Sequence, residues 1–153
     1  MVSQSGCTRS LIELILDAVH GEVPASVLPI LRYCLEHAAE PLTVKTVARA
    51  QGIHQRALEY RLSDAGLTAP GSLIAWCRLL LAVEQLEHTS QSQEQVALEL
   101  GYGTAGALRK AIARHLSVPG RTLRNPGAFE RAVVRFGETL RQPVFDQYTR
   151  RPP

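Results

Sequence analysis

The 153-residue sequence has no acidic side chain between Glu99 and Glu130, although Arg109, Lys110, Arg114, Arg121 and Arg124 all fall in that gap. The net charge of +3 hides this imbalance: residues 1–99 carry 7 Lys/Arg against 11 Asp/Glu, whereas residues 100–153 carry 10 against 3. The natural inference is a partner that bears phosphates; the plainer alternative is a solvated basic face. Cysteine is scarce as well. Cys7, Cys34 and Cys77 are odd in number and far apart, and the last two fall on apolar faces, so they read as free buried thiols suited to a reducing cytoplasm. The opening residues lack a basic start followed by an unbroken apolar run, because Glu13 and Asp17 interrupt LIELILDAV. This argues against a signal peptide and a membrane span. No stretch alternates with period two, which argues against strands and for an all-α chain.

The residues that enzyme chemistry needs are missing too. Cys34 and His37 form a lone C-x-x-H without a second ligand pair, and His54, His88 and His115 stand singly. That pattern predicts no metal site. Ser, His and Asp all occur, yet no motif sets a nucleophile on a strained turn, and Gly101 and Gly103 belong to a turn rather than a phosphate loop. The expectation is a protein without catalytic residues or cofactor, with His54 at a helix start and His115 on the surface.

What the chain does contain is a duplication. Val47, Ala48 and Gly52 with Ile53 behind it return as Val96, Ala97 and Gly101 with Tyr102 behind it, so V-A-x-x-x-G-apolar recurs at an offset of 49 residues. The small Ala lets one helix sit close to the next, and the Gly can take the positive φ of a tight inter-helix turn. Each copy therefore predicts a helix-turn-helix. The first has a supporting helix over Leu42–Gln51, with Thr43 as its cap, and a recognition helix over Gln55–Ala65. Leu58 and Leu62 face inward there, with Arg56, Glu59, Tyr60 and Ser63 outward. The second has a supporting helix over Ser92–Leu100 and a recognition helix over Thr104–Leu116, with Leu108, Ile112 and Leu116 inward and Gly106, Arg109, Lys110 and Ala113 outward.

Between them lies Pro70–Thr89, PGSLIAWCRLLLAVEQLEHT, which reads as one long connector helix. From Gly71 to Glu87 it would span about 25 Å, against about 34 Å between successive major-groove segments on one DNA face. Two recognition helices displaced outward from its ends would reach adjacent grooves. Outside the duplication, an amphipathic helix capped by Thr8 carries Leu11, Ile12, Ile15, Leu16 and Val19 on one stripe and stops at Gly21. A second helix starts near Ser26, keeps Pro29 in its first turn and runs to about Ala39, with Leu28, Leu31, Leu35 and Ala38 inward. Asn125–Gly127 is a turn into a last helix, Ala128–Leu140, with Phe129, Ala132, Val133, Phe136 and Leu140 on one face. Pro143 and Arg150–Pro153 mark a fraying tail. The expected division is 1–40 for the N-terminal helices, 41–125 for the tandem unit and 126–153 for the C-terminal helix and tail.

From about Leu42 to Arg124 the chain resembles the DNA-binding domain of the AraC/XylS family of bacterial transcription regulators. The match rests on Ala48, Gly52, Leu58, Leu62 and Gly66, on Arg78, Ala82 and Leu86 in the connector, and on Ala97, Gly101, Tyr102, Ile112, Val118 and Arg124. The resemblance implies an all-helical domain of about seven helices that binds an asymmetric site on double-stranded DNA as a monomeric module, each recognition helix in a major groove. It places the base-facing residues at Arg56, Glu59 and Tyr60 in the first unit and at Ala105, Gly106, Arg109 and Lys110 in the second. Arg can bond guanine O6 and N7 together, and Glu can accept from cytosine N4. Arg49, Arg61, Arg114 and Arg121 are the phosphate candidates, by charge and placement.

Several positions depart from the family pattern. The aromatic usual at Leu73, the Phe usual at Leu108, the Gly usual at Ser117 and the Pro usual at Gly120 are replaced, and Pro119 stands one place early. Family members typically also carry a ligand-sensing or dimerising domain, and nothing here is long enough to be one. Beside the expected core row of Leu73, Cys77 and Leu86, the connector has a second apolar row, Trp76, Leu80 and Val83. Something must cover it, either the terminal helices or a partner. RNA polymerase, and a second copy docking through the connector or terminal helices, are the candidate protein partners. The alternative function is a degenerate helix-turn-helix acting as a protein-interaction module or non-specific DNA binder.

Overall fold

A computed structural model of the chain describes residues 2–141, with side chains from Leu11 onward. The described residues form eight α-helices and one 3₁₀ turn, without a strand. They are α1 (Val2–Val19), α2 (Leu28–Glu36), α3 (Val44–Ala50), α4 (Gln55–Asp64), α5 (Pro70–His88), α6 (Gln93–Glu99), α7 (Ala105–Leu116), the 3₁₀ turn Gly120–Arg124, and α8 (Ala128–Leu140). No helix among the described residues is long and apolar enough to cross a membrane.

The connector α5 is the axis, touched by α2, α3, α4, α6, α7, the 3₁₀ turn and α8. Both of its apolar rows are buried: Leu73, Cys77 and Leu86 on the first, and Trp76, Leu80 and Val83 on the second. α8 supplies most of the cover. The Trp76 ring lies 5.6 Å from Phe136, and Phe129, Ala132, Val133 and Leu140 complete the inward face of α8. Full burial of one such large side chain is worth roughly 1.5–3 kcal/mol, so this seam is a principal contributor to the core. α2 closes the other flank, with Cys34 and Cys77 buried against each other as free thiols, and α1 packs on α2 and α8. The surplus apolar surface of the connector is thus met within the chain, so the row that suggested a second copy there is not exposed.

Hydrogen bonds fix α8 at both ends. Gly127 at its N-terminus offers no side-chain cap, and Glu87 of the connector serves instead, accepting from Gly127 N–H (3.3 Å) and Phe129 N–H (2.6 Å). At the other end Thr68 N–H donates to Leu140 C=O at 3.0 Å.

The sequence reading needs correction at several places. α1 begins at Val2, so Thr8 lies inside it rather than at its cap. α2 begins at Leu28, not Ser26, because Pro24–Val27 makes a turn of its own with Val27 N–H donating to Pro24 C=O, and it ends at Glu36. Leu28 and Leu116 are half-buried rather than fully inward. His115 is half-buried rather than fully on the surface: its ring sits 5.0 Å from Trp76 between α7 and the connector. Cys7, Pro143 and the Arg150–Pro153 tail lie outside the residues whose side chains are described.

Candidate nucleic-acid interface

The duplicated sequence pattern turns out to be one hydrogen-bond motif made twice. Gly52 (φ 69°) follows the last turn of α3, its N–H donating to Arg49 C=O, while Ile53 N–H donates to Ala48 C=O. Gly101 (φ 81°) follows α6 in the same way, with Gly101 N–H donating to Leu98 C=O and Tyr102 N–H to Ala97 C=O. This is the Schellman arrangement, in which glycine takes the left-handed conformation and the residue behind it turns back over the helix end. The Ala of the pattern is thus the acceptor, and the apolar residue is the donor that folds inward. The helix starts match as well. Thr43 and Ser92, also 49 apart, each close a capping box, with Thr46 and Gln95 as reciprocal partners.

Beyond the turn the offset changes. His54 caps α4, its Nδ1 accepting from Arg56 N–H, whereas Thr104 caps α7 and accepts from Ala107 N–H. The caps are 50 apart because Gly103 (φ 83°) adds a residue to the second turn. Leu58 and Leu62 therefore correspond to Leu108 and Ile112, all buried. The outward positions pair as Arg56 with Gly106, Glu59 with Arg109 and Tyr60 with Lys110.

On α4, Arg56, Glu59 and Arg61 are exposed, and Tyr60 is 69 % exposed, high for an aromatic ring. On α7, Arg109, Lys110, Ala113 and Arg114 are exposed, but Ala105 and Gly106 are half-buried at its first turn. Arg109 is held: one Nη donates to Gln93 Oε1 at 3.3 Å, and a Cβ built on the neighbouring Gly120 would meet Gln93 Nε2 at 2.9 Å. The glycine that replaces the family's proline thus lets the 3₁₀ turn press on the side chain that orients Arg109. Sequence reasoning missed Gln93, because its link to Arg109 spans two helices.

The cations divide into two sets. Arg32 pairs with Glu13, Arg135 with Glu138 and Arg141 with Glu22. Arg131 donates to Pro126 C=O. Arg78 reaches Ala38 C=O (3.4 Å) and Glu40 C=O (3.5 Å) and lies over the Tyr102 ring at 5.8 Å. Arg124 donates to Leu86, Thr89 and Gln91 C=O, closing the carbonyl end of the connector, where a cation is favoured. These last two match family positions and act as internal braces. Lys45, Arg49, Arg56, Arg61, Lys110, Arg114 and Arg121 are exposed and make no hydrogen bond or ion pair among the described residues. All seven lie on α3, α4, α7 or the turn after α7.

Two titrating groups border this region. Burial pushes the Tyr102 phenol up to about 12, against the opposing pull of Arg78. Burial, and then the Arg114 charge, hold the His115 imidazole below its usual value.

A family model described as a helix-turn-helix domain matches residues 47–126, just over half of the chain. No curated protein and no solved structure matches it. With its two capped helix-turn-helix units about one connector, the chain belongs to the AraC-type helix-turn-helix family of DNA-binding transcription regulators.

Proposed function

We propose that the chain binds a specific double-stranded DNA site as one rigid module, setting α4 and α7 into adjacent major grooves. The observation that carries this reading is the sorting of cations: those without a protein partner fall on the two helix-turn-helix units, where phosphates would supply the missing anions. Arg56, Glu59 and Tyr60 read bases from α4; Arg109 and Lys110 read from α7, where Ala105 and Gly106 let the backbone come close. Arg49, Arg61, Arg114 and Arg121 hold phosphates. Selection of bound duplexes from a random pool should return a defined site. On that site, Arg56→Ala should relax preference at one base pair by roughly 1–3 kcal/mol, whereas Arg114→Ala should weaken all sequences alike and flatten the salt dependence by about one ion. Exchange of those two behaviours would overturn the division of roles.

A second reading is favoured by one feature, the half-buried Ala105 and Gly106 at the start of α7, which offer no polar side chain to a base edge. In that reading the second unit grips DNA without reading it, and the module is a non-specific binder or a platform for another protein. Salt-dependent binding with equal affinity for every duplex in the pool would select it.

A further inference from the structure

Between the end of α7, the 3₁₀ turn and α8 lies a cavity of about 410 Å³, open to solvent on one side. Leu116, Val118, Leu123 and Ala132 make its apolar wall, and Arg131 and Arg135 stand along its α8 side. On its α8 side the lining includes two small residues, Ala128 and Ala132, which leave room beside the turn. Its size falls within the roughly 300–1,000 Å³ of small-molecule sites, and an apolar body with a few convergent polar groups is their usual lining. The charge is one-sided, since no carboxylate lines it among the described residues. The cavity between α1 and α8 differs, because its Arg141 is already paired with Glu22.

We infer that this cavity binds a small amphipathic carboxylate, its apolar body against Leu116, Val118 and Leu123 and its anionic head between Arg131 and Arg135. The head cannot sit at the other end, where the terminal carbonyls of α7 disfavour an anion. Both guanidiniums have capacity to spare. Arg131 commits one Nη to Pro126 C=O at 3.3 Å and lies in the field of Glu87, and Arg135 meets Glu138 only at 3.8 Å, on the exposed surface. An occupant would bridge α8 to Leu116 and Ser117, the last turn of the second recognition helix. By adding contacts to the last turn of α7 it would stabilise the arrangement that engages the duplex and raise duplex affinity. That consequence rests on the DNA-binding reading, whereas the site itself does not.

The test uses the full chain, first without DNA. Octanoate, titrated with amide resonances as the readout, should shift residues 116–123 and 128–135 in a saturable way. Octanol, of similar shape but uncharged, should bind about tenfold more weakly or worse, as expected for loss of a charge-assisted contact. The double variant R131Q/R135Q changes only exposed positions. It should lose a similar factor for octanoate and keep its affinity for octanol, the second result showing that the cavity is still formed. Equal binding of octanoate and octanol, or shifts scattered over the surface, would overturn the site. With the selected duplex, saturating octanoate should tighten binding at least threefold; octanoate bound with duplex affinity unchanged would overturn the coupling. A chain that binds octanoate but no duplex would instead overturn the DNA-binding reading and leave the site standing.

Discussion

Ser117 holds a left-handed conformation, φ 57° and ψ 32°, at the C-cap of α7, and is the only non-glycine among the described residues with positive φ. A β-carbon there sits too close to the carbonyl that follows, at a cost of roughly 1–2 kcal/mol. Glycine is the residue usual in the family at this position, and it would relieve the strain, offset in part by the greater conformational entropy it gives the unfolded chain. Ser117→Gly should therefore stabilise the chain by about 0.5–1 kcal/mol, raising the melting midpoint by roughly 1–4 °C. A lower midpoint would show that the hydroxyl has a role that offsets the strain. His115, two residues earlier, carries the pH response. Burial against Trp76, then the neighbouring Arg114 charge, keep its folded pKa below the ordinary value near 6.5. Between the two values the unfolded chain binds more protons, so stability rises with pH through that window and is lost as pH falls below about 6.5. Melting midpoints taken from pH 7.5 down to 5 should fall for the natural chain and fall less for His115→Phe; parallel curves would remove His115 as the source.

The element whose place in the molecule rests most on one side chain is α8. Glu87 is 11 % exposed, and its carboxylate accepts from both Gly127 and Phe129 N–H. Burial raises its pKa, but these two backbone donors, with His88 and Arg131, bring it below the ordinary carboxylate value. Its contribution is thus present above the unfolded pKa of about 4.3 and is lost as pH falls through the lower folded value. Glu87→Gln keeps the shape and removes the charge, and hydrogen bonds to charged groups exceed neutral ones by about 1–2 kcal/mol. A loss of that size should appear in urea unfolding at pH 7 and shrink as the pH is lowered through the folded value; a loss that persisted undiminished in acid would mean packing, not charge, is at stake. This contrast also explains which parts of the structure are legible in the sequence. The cap at Thr43, the glycine turns and the row Leu58, Leu62, Leu108 and Ile112 all depend on partners within a few residues, and the spacing alone predicts them. Glu87 with Phe129, Arg124 with Leu86 and Arg109 with Gln93 join residues 16 to 42 apart, so no local pattern announces them. Thr8 looks like a helix cap by type, but the helix continues upstream of it, and nothing in a single hydroxyl residue reveals that. The second apolar row of the connector is plain in the sequence, while its occupant, α8, follows only from the packed fold.

For the whole molecule, the central question is whether the two helix-turn-helix units act as one on DNA. α5 spans 19 residues, about 28 Å at roughly 1.5 Å per residue, and is gripped along its length by α2, α8 and both units. Arg124 locks its carbonyl end to the turn after α7, and Arg78 ties its middle to Tyr102 and to the turn that follows α2. A strut so braced has no hinge from which one unit could swing away from the other. If α4 and α7 enter adjacent grooves, their half-elements must lie one helical turn apart, about 34 Å and roughly 10 base pairs. Inserting five base pairs between the half-elements of a selected site rotates one half to the far side of the duplex. It should lower affinity at least tenfold, to the level of a duplex carrying one half-element. Inserting ten restores the facing but adds about 34 Å of separation that a rigid connector cannot span, so affinity should stay equally low. Two independently tethered units would behave differently, with affinity recovering at ten because a flexible link tolerates distance better than rotation. Recovery at ten base pairs, measured by competition at fixed salt, would therefore show that the connector is not the rigid spacer that sets the length of the site.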